Sequence, residues 1–139
     1  MASGHDFLGL KVRRAPVLIV CLEMSAGLIR KRMDQILADV GLPMPKFGDS
    51  FHIVAPTQGK VPQLDLTGPE GFVVLAGLVR DTGAKLVVLD TLYRFLPGFD
   101  PIDNGAMGTV FGQFNTFTVE TGAALLSLDH VRKGLLDGP

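Results

Sequence analysis

The sequence contains one cysteine, one tyrosine and no tryptophan in 139 residues, and its formal net charge is -1. A lone thiol, Cys21, allows no internal disulfide and is typical of a reducing compartment, so we expect a cytoplasmic protein. The near-neutral charge argues against binding of nucleic acid through charge alone. No apolar run approaches the roughly 20 residues that cross a bilayer, and the N-terminus lacks a signal peptide's apolar core. We therefore expect no membrane span.

Apolar residues are abundant, at 47% of the chain, so one sizeable core can form and residues 1–139 are predicted to be a single domain. Three continuous apolar stretches are typical of strands buried on both faces of a parallel sheet: VLIVCL (17–22), KLVVLD (85–90) and AALLSL (123–128). A shorter strand candidate, FHIVA (51–55), lies in a stretch rich in proline and glycine.

Helical periodicity fills the intervals between these strands, over residues 25–40, 69–81 and 106–121. Ser25 is the predicted N-cap of the first helix. In the third helix, Phe111, Phe114 and Phe117 recur every three residues and are expected to pack on the sheet, with Phe117 at the margin. Strands that alternate with helices predict an α/β fold, a mostly parallel sheet with flanking helices.

Polar residues follow three of the apolar strands. Glu23 follows the first, Asp90 ends the strand KLVVLD, and Asp129 with His130 follows the last. The carboxyl ends of parallel strands share one edge, which is where ligands bind. Each residue taken singly is equally explained as the cap of a turn or helix. Together they favour a metal or metal–nucleotide site, because a partly desolvated carboxylate needs a cation or hydrogen-bond donors.

Three stretches resemble, in the same order, the strands of a known family: VLIVCLEMS, KLVVLDTLYRF and ALLSLDHVRKG. They are similar to RecA-like P-loop ATPases of the hexameric replicative helicase type, including plasmid and prophage helicase-like AAA ATPases. The resemblance covers residues 7–134 of the printed sequence. It implies that residues 1–139 are a partial RecA-like ATPase domain, the half with the Walker B strand, without the P-loop and the C-terminal strands.

The resemblance also implies a role for each matching residue. Glu23 corresponds to the catalytic glutamate that orients and polarises the attacking water. Asp90 corresponds to the Walker B aspartate, which holds Mg²⁺ through water, and Thr91 adds a hydroxyl to that shell. His130 falls at the catalytic position that senses the γ-phosphate. Lys133 matches a basic position that faces phosphate or a neighbouring subunit.

The implied cofactors are Mg²⁺ and ATP, and the implied partners are ATP, DNA in a full-length protein, and further copies of the chain in a homo-oligomer, a hexamer in the family. One departure is Asp129, which stands where the family has the first of two histidines. A second is the phosphate-binding pattern G-x-x-x-x-G-K-[ST], which the printed sequence lacks. We therefore expect a DNA replication or repair ATPase domain that hydrolyses ATP poorly or not at all as this chain alone.

Two other functions are considered. A non-hydrolysing interaction module would use the same sheet and helices to assemble with intact ATPase subunits. A receiver-type signalling domain has a similar length and ranks lower, because receivers need an acidic pair after the first strand and Glu23 is followed by Met24. Without a P-loop strand, the strands of Glu23 and Asp90 are expected to lack a shared neighbour, which would leave a less stable sheet with an exposed gap or edge.

Overall fold

The structure, a computed structural model, describes residue 6 and residues 8–42, 49–57, 63–98 and 104–129. The elements within these ranges are β1 (Val17–Cys21), α1 (Ala26–Asp39), β2 (Phe51–Val54), α2 (Pro69–Thr82), β3 (Leu86–Asp90), α3 (Asn104–Thr121) and β4 (Ala124–Leu128). A short 3₁₀ helix, Leu92–Phe95, follows β3. None of the helices in these ranges is both long and apolar enough to cross a membrane.

The four strands form one sheet in the order β2-β1-β3-β4, and every neighbouring pair is parallel. This confirms the predicted α/β fold, a parallel sheet with flanking helices. Because all strands point the same way, the residues that follow β1, β3 and β4 lie along one edge of the sheet, here called the carboxyl edge.

The prediction of a gap between the strands of Glu23 and Asp90 is wrong. β1 and β3 are direct neighbours, paired from Val17 with Leu86 to Cys21 with Asp90. The expected exposed edge is present, because β4 is paired on one side only within the described part of the chain. Its side chains Leu126 and Leu128 are 48% and 44% exposed, so this margin is poorly covered by the described residues.

The two faces of the sheet are covered by different helices. On one face, the side chains of β1 and β3 at alternating positions pack with α2 and α3 in one large cluster, which includes Leu18, Val20, Val87, Leu89, Leu75, Val79, Phe114 and Phe117. On the other face, Ile29 of α1 packs with Cys21 and Ala55. Burial on both faces explains why the strands read as continuous apolar runs.

Glycines end the two helices that precede β3 and β4. Gly83 follows α2 with φ +63°, and Gly122 follows α3 with φ +64°, a left-handed conformation that a side chain disfavours. The amide of Gly122 donates to the carbonyl of Thr118 at 3.0 Å, which satisfies one of the last carbonyls of α3. The next strand begins two or three residues after each glycine, so these helix ends determine where β3 and β4 start.

Ser25 caps α1 as the sequence predicts, since its Oγ accepts a hydrogen bond from the amide of Leu28 at 3.3 Å. We expect Ser25→Ala to lower the free energy of unfolding by about 1 kcal/mol, because the amide loses its acceptor. The measurement is urea unfolding followed by far-UV circular dichroism. Ser25→Asn is the matched control, since asparagine caps equally well. Equal losses in the two variants would show that the cap contributes nothing.

Candidate functional site

The candidate site lies at the carboxyl edge, where β1 and β3 end side by side. The last registered pair is Cys21 with Asp90, and the amide of Leu22 extends the ladder by donating to the Asp90 carbonyl at 3.2 Å. Glu23 follows one residue later. β4 reaches the same level, because Leu128 is paired with Asp90, and Asp129 comes next. Parallel pairing thus brings together carboxylates that are far apart in sequence.

Glu23 is held by two residues of the 3₁₀ helix. The Tyr93 hydroxyl donates to its Oε1 at 2.5 Å, and the Nε of Arg94 lies 3.4 Å from the same oxygen. The hydrogen bond from Tyr93 lowers the pKa of Glu23 most, with smaller contributions from Thr91 and Arg94. Glu23 is therefore ionised at neutral pH, as a residue that accepts a proton must be.

Asp90 is held from the neighbouring strand. The thiol of Cys21 donates to Asp90 Oδ2 at 3.4 Å. Burial raises the pKa of this thiol and the nearby carboxylate raises it further, so the sulfur keeps its proton and acts as a donor. The peptide bond between Asp90 and Thr91 is cis. Cys21 is buried and packs with Ile29 and Ala55, and its thiol also contacts Asp90, the proposed metal ligand.

Thr91 is 3% exposed, and its hydroxyl has no well-formed hydrogen bond to any described residue, although it lies near enough to Glu23 to lower the pKa of that carboxylate. A buried hydroxyl left in this state needs a further polar partner. Asp90 and Thr91 together offer the hard oxygen ligands that Mg²⁺ prefers.

The described residues contain no group of three or more His, Cys, Asp or Glu side chains that could hold a metal. The fit to Mg²⁺ rests on the chemistry of Asp90 and Thr91, because Mg²⁺ keeps several waters and takes only one or two carboxylate or hydroxyl oxygens from the protein.

The structure places Glu23, Asp90 and Thr91 at the carboxyl edge, after the ends of β1 and β3, and their functional roles stay predictions. His130 and Lys133, the other two predicted site residues, lie outside the described residues. Sequence reasoning did not single out Tyr93 and Arg94. Their position two and three residues after Thr91, just beyond the end of β3 at the carboxyl edge, is the signal that could have identified them.

The parallel sheet with flanking helices makes this an α/β protein, and proteins with open sheets of this class bind ligands outside the carboxyl ends of the strands. A family model described as an AAA domain matches residues 1–135, and the chain belongs to this family. A search among curated proteins finds no match. Membership in the AAA domain family indicates an ATPase-type function that uses nucleotide and Mg²⁺.

Proposed function

We propose that the chain carries the Walker B half of a Mg·ATP site in a RecA-like motor. The observation that carries the proposal is the pairing of β1 with β3, which sets Asp90 beside the strand that leads to Glu23. In this assignment Asp90 holds Mg²⁺ through water and the buried Thr91 hydroxyl supports that shell. The Mg²⁺, when bound, neutralises negative charge on the phosphates.

Glu23 is the proposed general base. Its carboxylate polarises the water that attacks the γ-phosphorus, so that ATP and water give ADP and phosphate. The lowered pKa of Glu23 keeps the carboxylate ionised at neutral pH. We assign phosphate sensing to His130 and phosphate or subunit contact to Lys133, from the resemblance alone. The assignment extends to a cytoplasmic DNA replication or repair ATPase of the helicase type that works as a homo-oligomer, a hexamer.

The test is an NMR titration of the chain with Mg²⁺ and the non-hydrolysable analogue AMP-PNP. The sequence has no G-x-x-x-x-G-K-[ST] stretch to bind phosphates, so we expect affinity in the millimolar range, with shifts centred on residues 21–23 and 90–94. Asp90→Ala should weaken binding at least tenfold, because the metal loses its carboxylate ligand. A tenfold loss of affinity corresponds to about 1.4 kcal/mol of binding free energy.

Asp34→Ala is the matched control, since Asp34 is an exposed aspartate on α1 away from the carboxyl edge. The Asp34→Ala variant should bind Mg·AMP-PNP as tightly as the unmodified chain does. Without Mg²⁺, the unmodified chain should lose about as much affinity for AMP-PNP as Asp90→Ala does. Unchanged affinity in Asp90→Ala, or shifts elsewhere on the molecule, would contradict the proposed site.

A second candidate, the non-hydrolysing module that assembles with intact ATPase subunits, is favoured by one observation. The apolar side chains Leu126 and Leu128 of β4 are close to half exposed beside an edge that no described strand covers. An unpaired apolar edge strand is a template for pairing with another chain. The nucleotide titration separates the two candidates, because the interaction module predicts no shifts at the carboxyl edge.

A further inference from the structure

The proposed general base is restrained by the segment that follows the proposed metal ligand. Tyr93 Oη and Arg94 Nε both meet Glu23 at a single atom, Oε1. Arg94 also lies over the Tyr93 ring, with its Cζ 5.3 Å from the ring centroid, so the two donors support each other. These contacts join residues separated by about seventy positions in the chain.

We propose that Tyr93 and Arg94 are positioning residues that fix the Glu23 carboxylate relative to Asp90. This inference rests on the proposed function, since it concerns how that site is assembled. A carboxylate two residues beyond a strand end would otherwise sample several rotamers. Two donors that converge on one oxygen restrict this rotation, and a preorganised base loses less entropy when the attacking water is bound.

The anchoring of the 3₁₀ helix makes these donors an effective support. Leu92 and Phe95 are buried in the large cluster, and the amide of Arg94 donates to the Thr91 carbonyl at 3.0 Å. Tyr93 and Arg94 are therefore the exposed side of a short segment whose other side is fixed in the core. Since the segment begins directly after Asp90 and Thr91, the proposed metal ligand and the proposed base are held by one rigid unit.

The composition of the chain provides a direct spectroscopic test. Tyr93 is the only tyrosine and tryptophan is absent, so phenol ionisation measured at about 295 nm reports on this residue alone. The hydrogen bond to Glu23 raises the pKa of Tyr93. In Glu23→Gln the neighbouring negative charge is removed, so the midpoint of the phenol titration should move downward, toward the ordinary value for tyrosine.

Glu120→Gln, which removes an exposed carboxylate at the far end of α3, is the matched control and should leave the midpoint unchanged. Tyr93→Phe should raise the pKa of Glu23, measured by the ¹³C shift of its side-chain carboxyl. Arg94→Lys should retain more of the depressed Glu23 pKa than Arg94→Gln does. Urea unfolding of each variant confirms that the fold is intact.

A phenol midpoint that is identical in the unmodified chain and Glu23→Gln would overturn the positioning role. This outcome leaves the nucleotide titration unaffected, so the proposed function could still stand. Conversely, the phenol midpoint can shift in Glu23→Gln while the unmodified chain fails to bind Mg·AMP-PNP. That result would overturn the proposed function and would still show that Tyr93 contacts Glu23. The two failures are thus distinguishable.

Discussion

Phe95→Ala is expected to lower the free energy of unfolding by about 4 kcal/mol. Phe95 ends the 3₁₀ helix, its side chain is fully buried, and it belongs to the cluster that joins α2 and α3 to the sheet. Truncation to alanine removes a whole aromatic ring and leaves a cavity that a packed sheet cannot close. The midpoint of urea unfolding measures the loss.

Phe111→Ala makes the same chemical change on α3, but the Phe111 side chain is 48% exposed, so we expect a loss of about 1 kcal/mol or less. Equal losses for the two variants would show that Phe95 is not a core residue. Because Phe95 anchors the segment that carries Tyr93, its removal should also bring the Tyr93 phenol titration closer to that of Glu23→Gln. Phe111→Ala should leave that titration unchanged.

The regular elements were predictable because their signals are local. β1 and β3 lie within the apolar stretches at 17–22 and 85–90, and Ser25 caps α1 as expected. The phenylalanines of α3 show where a local pattern misleads. A spacing of three residues drifts around a helix of 3.6 residues per turn. As a result Phe117 is buried and Phe111 is 48% exposed. The prediction that Phe117 would lie at the margin of the packed face is therefore wrong.

Strand order and the contacts of the site were not predictable from local patterns. Nothing within the stretches around Glu23 and Asp90 states that β1 pairs with β3, because pairing is decided between segments far apart in the chain. The expectation of a gap failed for this reason. Tyr93 was equally hard to recognise, since its partner Glu23 is distant in sequence and becomes its neighbour only when the two strands end together.

The support beneath the candidate site continues into the loop before α2. The amide of Leu66 donates to the Phe95 carbonyl at 2.7 Å, and Leu66 is fully buried. Asp65 fixes the same loop by accepting from the amide and hydroxyl of Thr67 at 2.8 and 2.6 Å. The loop therefore fixes the end of the 3₁₀ helix through the hydrogen bond between Leu66 and Phe95. Because the loop also packs against α2, a change in that packing should alter the geometry of the candidate site.

The loop approaches α2 closely at Gly71. A Cβ built at Gly71 would lie 1.7 Å from the carbonyl oxygen of Asp65 and 2.6 Å from its carbonyl carbon. Both atoms belong to the backbone, so no side-chain rotation relieves the overlap. We expect the clash in Gly71→Ala to cost about 3 kcal/mol, the upper end of what overpacking costs. Alanine recovers about 1 kcal/mol through its helix propensity, so the net loss is about 2 kcal/mol.

Gly77→Ala is the matched control on the same helix. A Cβ there would meet only the Nη2 of Arg80, at the ordinary contact distance of 3.8 Å. Only the propensity gain then remains, and Gly77→Ala should stabilise the chain by about 1 kcal/mol. The two substitutions are chemically identical and should shift the urea midpoint in opposite directions. A midpoint that rises in Gly71→Ala would mean that the loop at Asp65 does not rest on α2, and the support for the 3₁₀ helix would then have to come from the core alone.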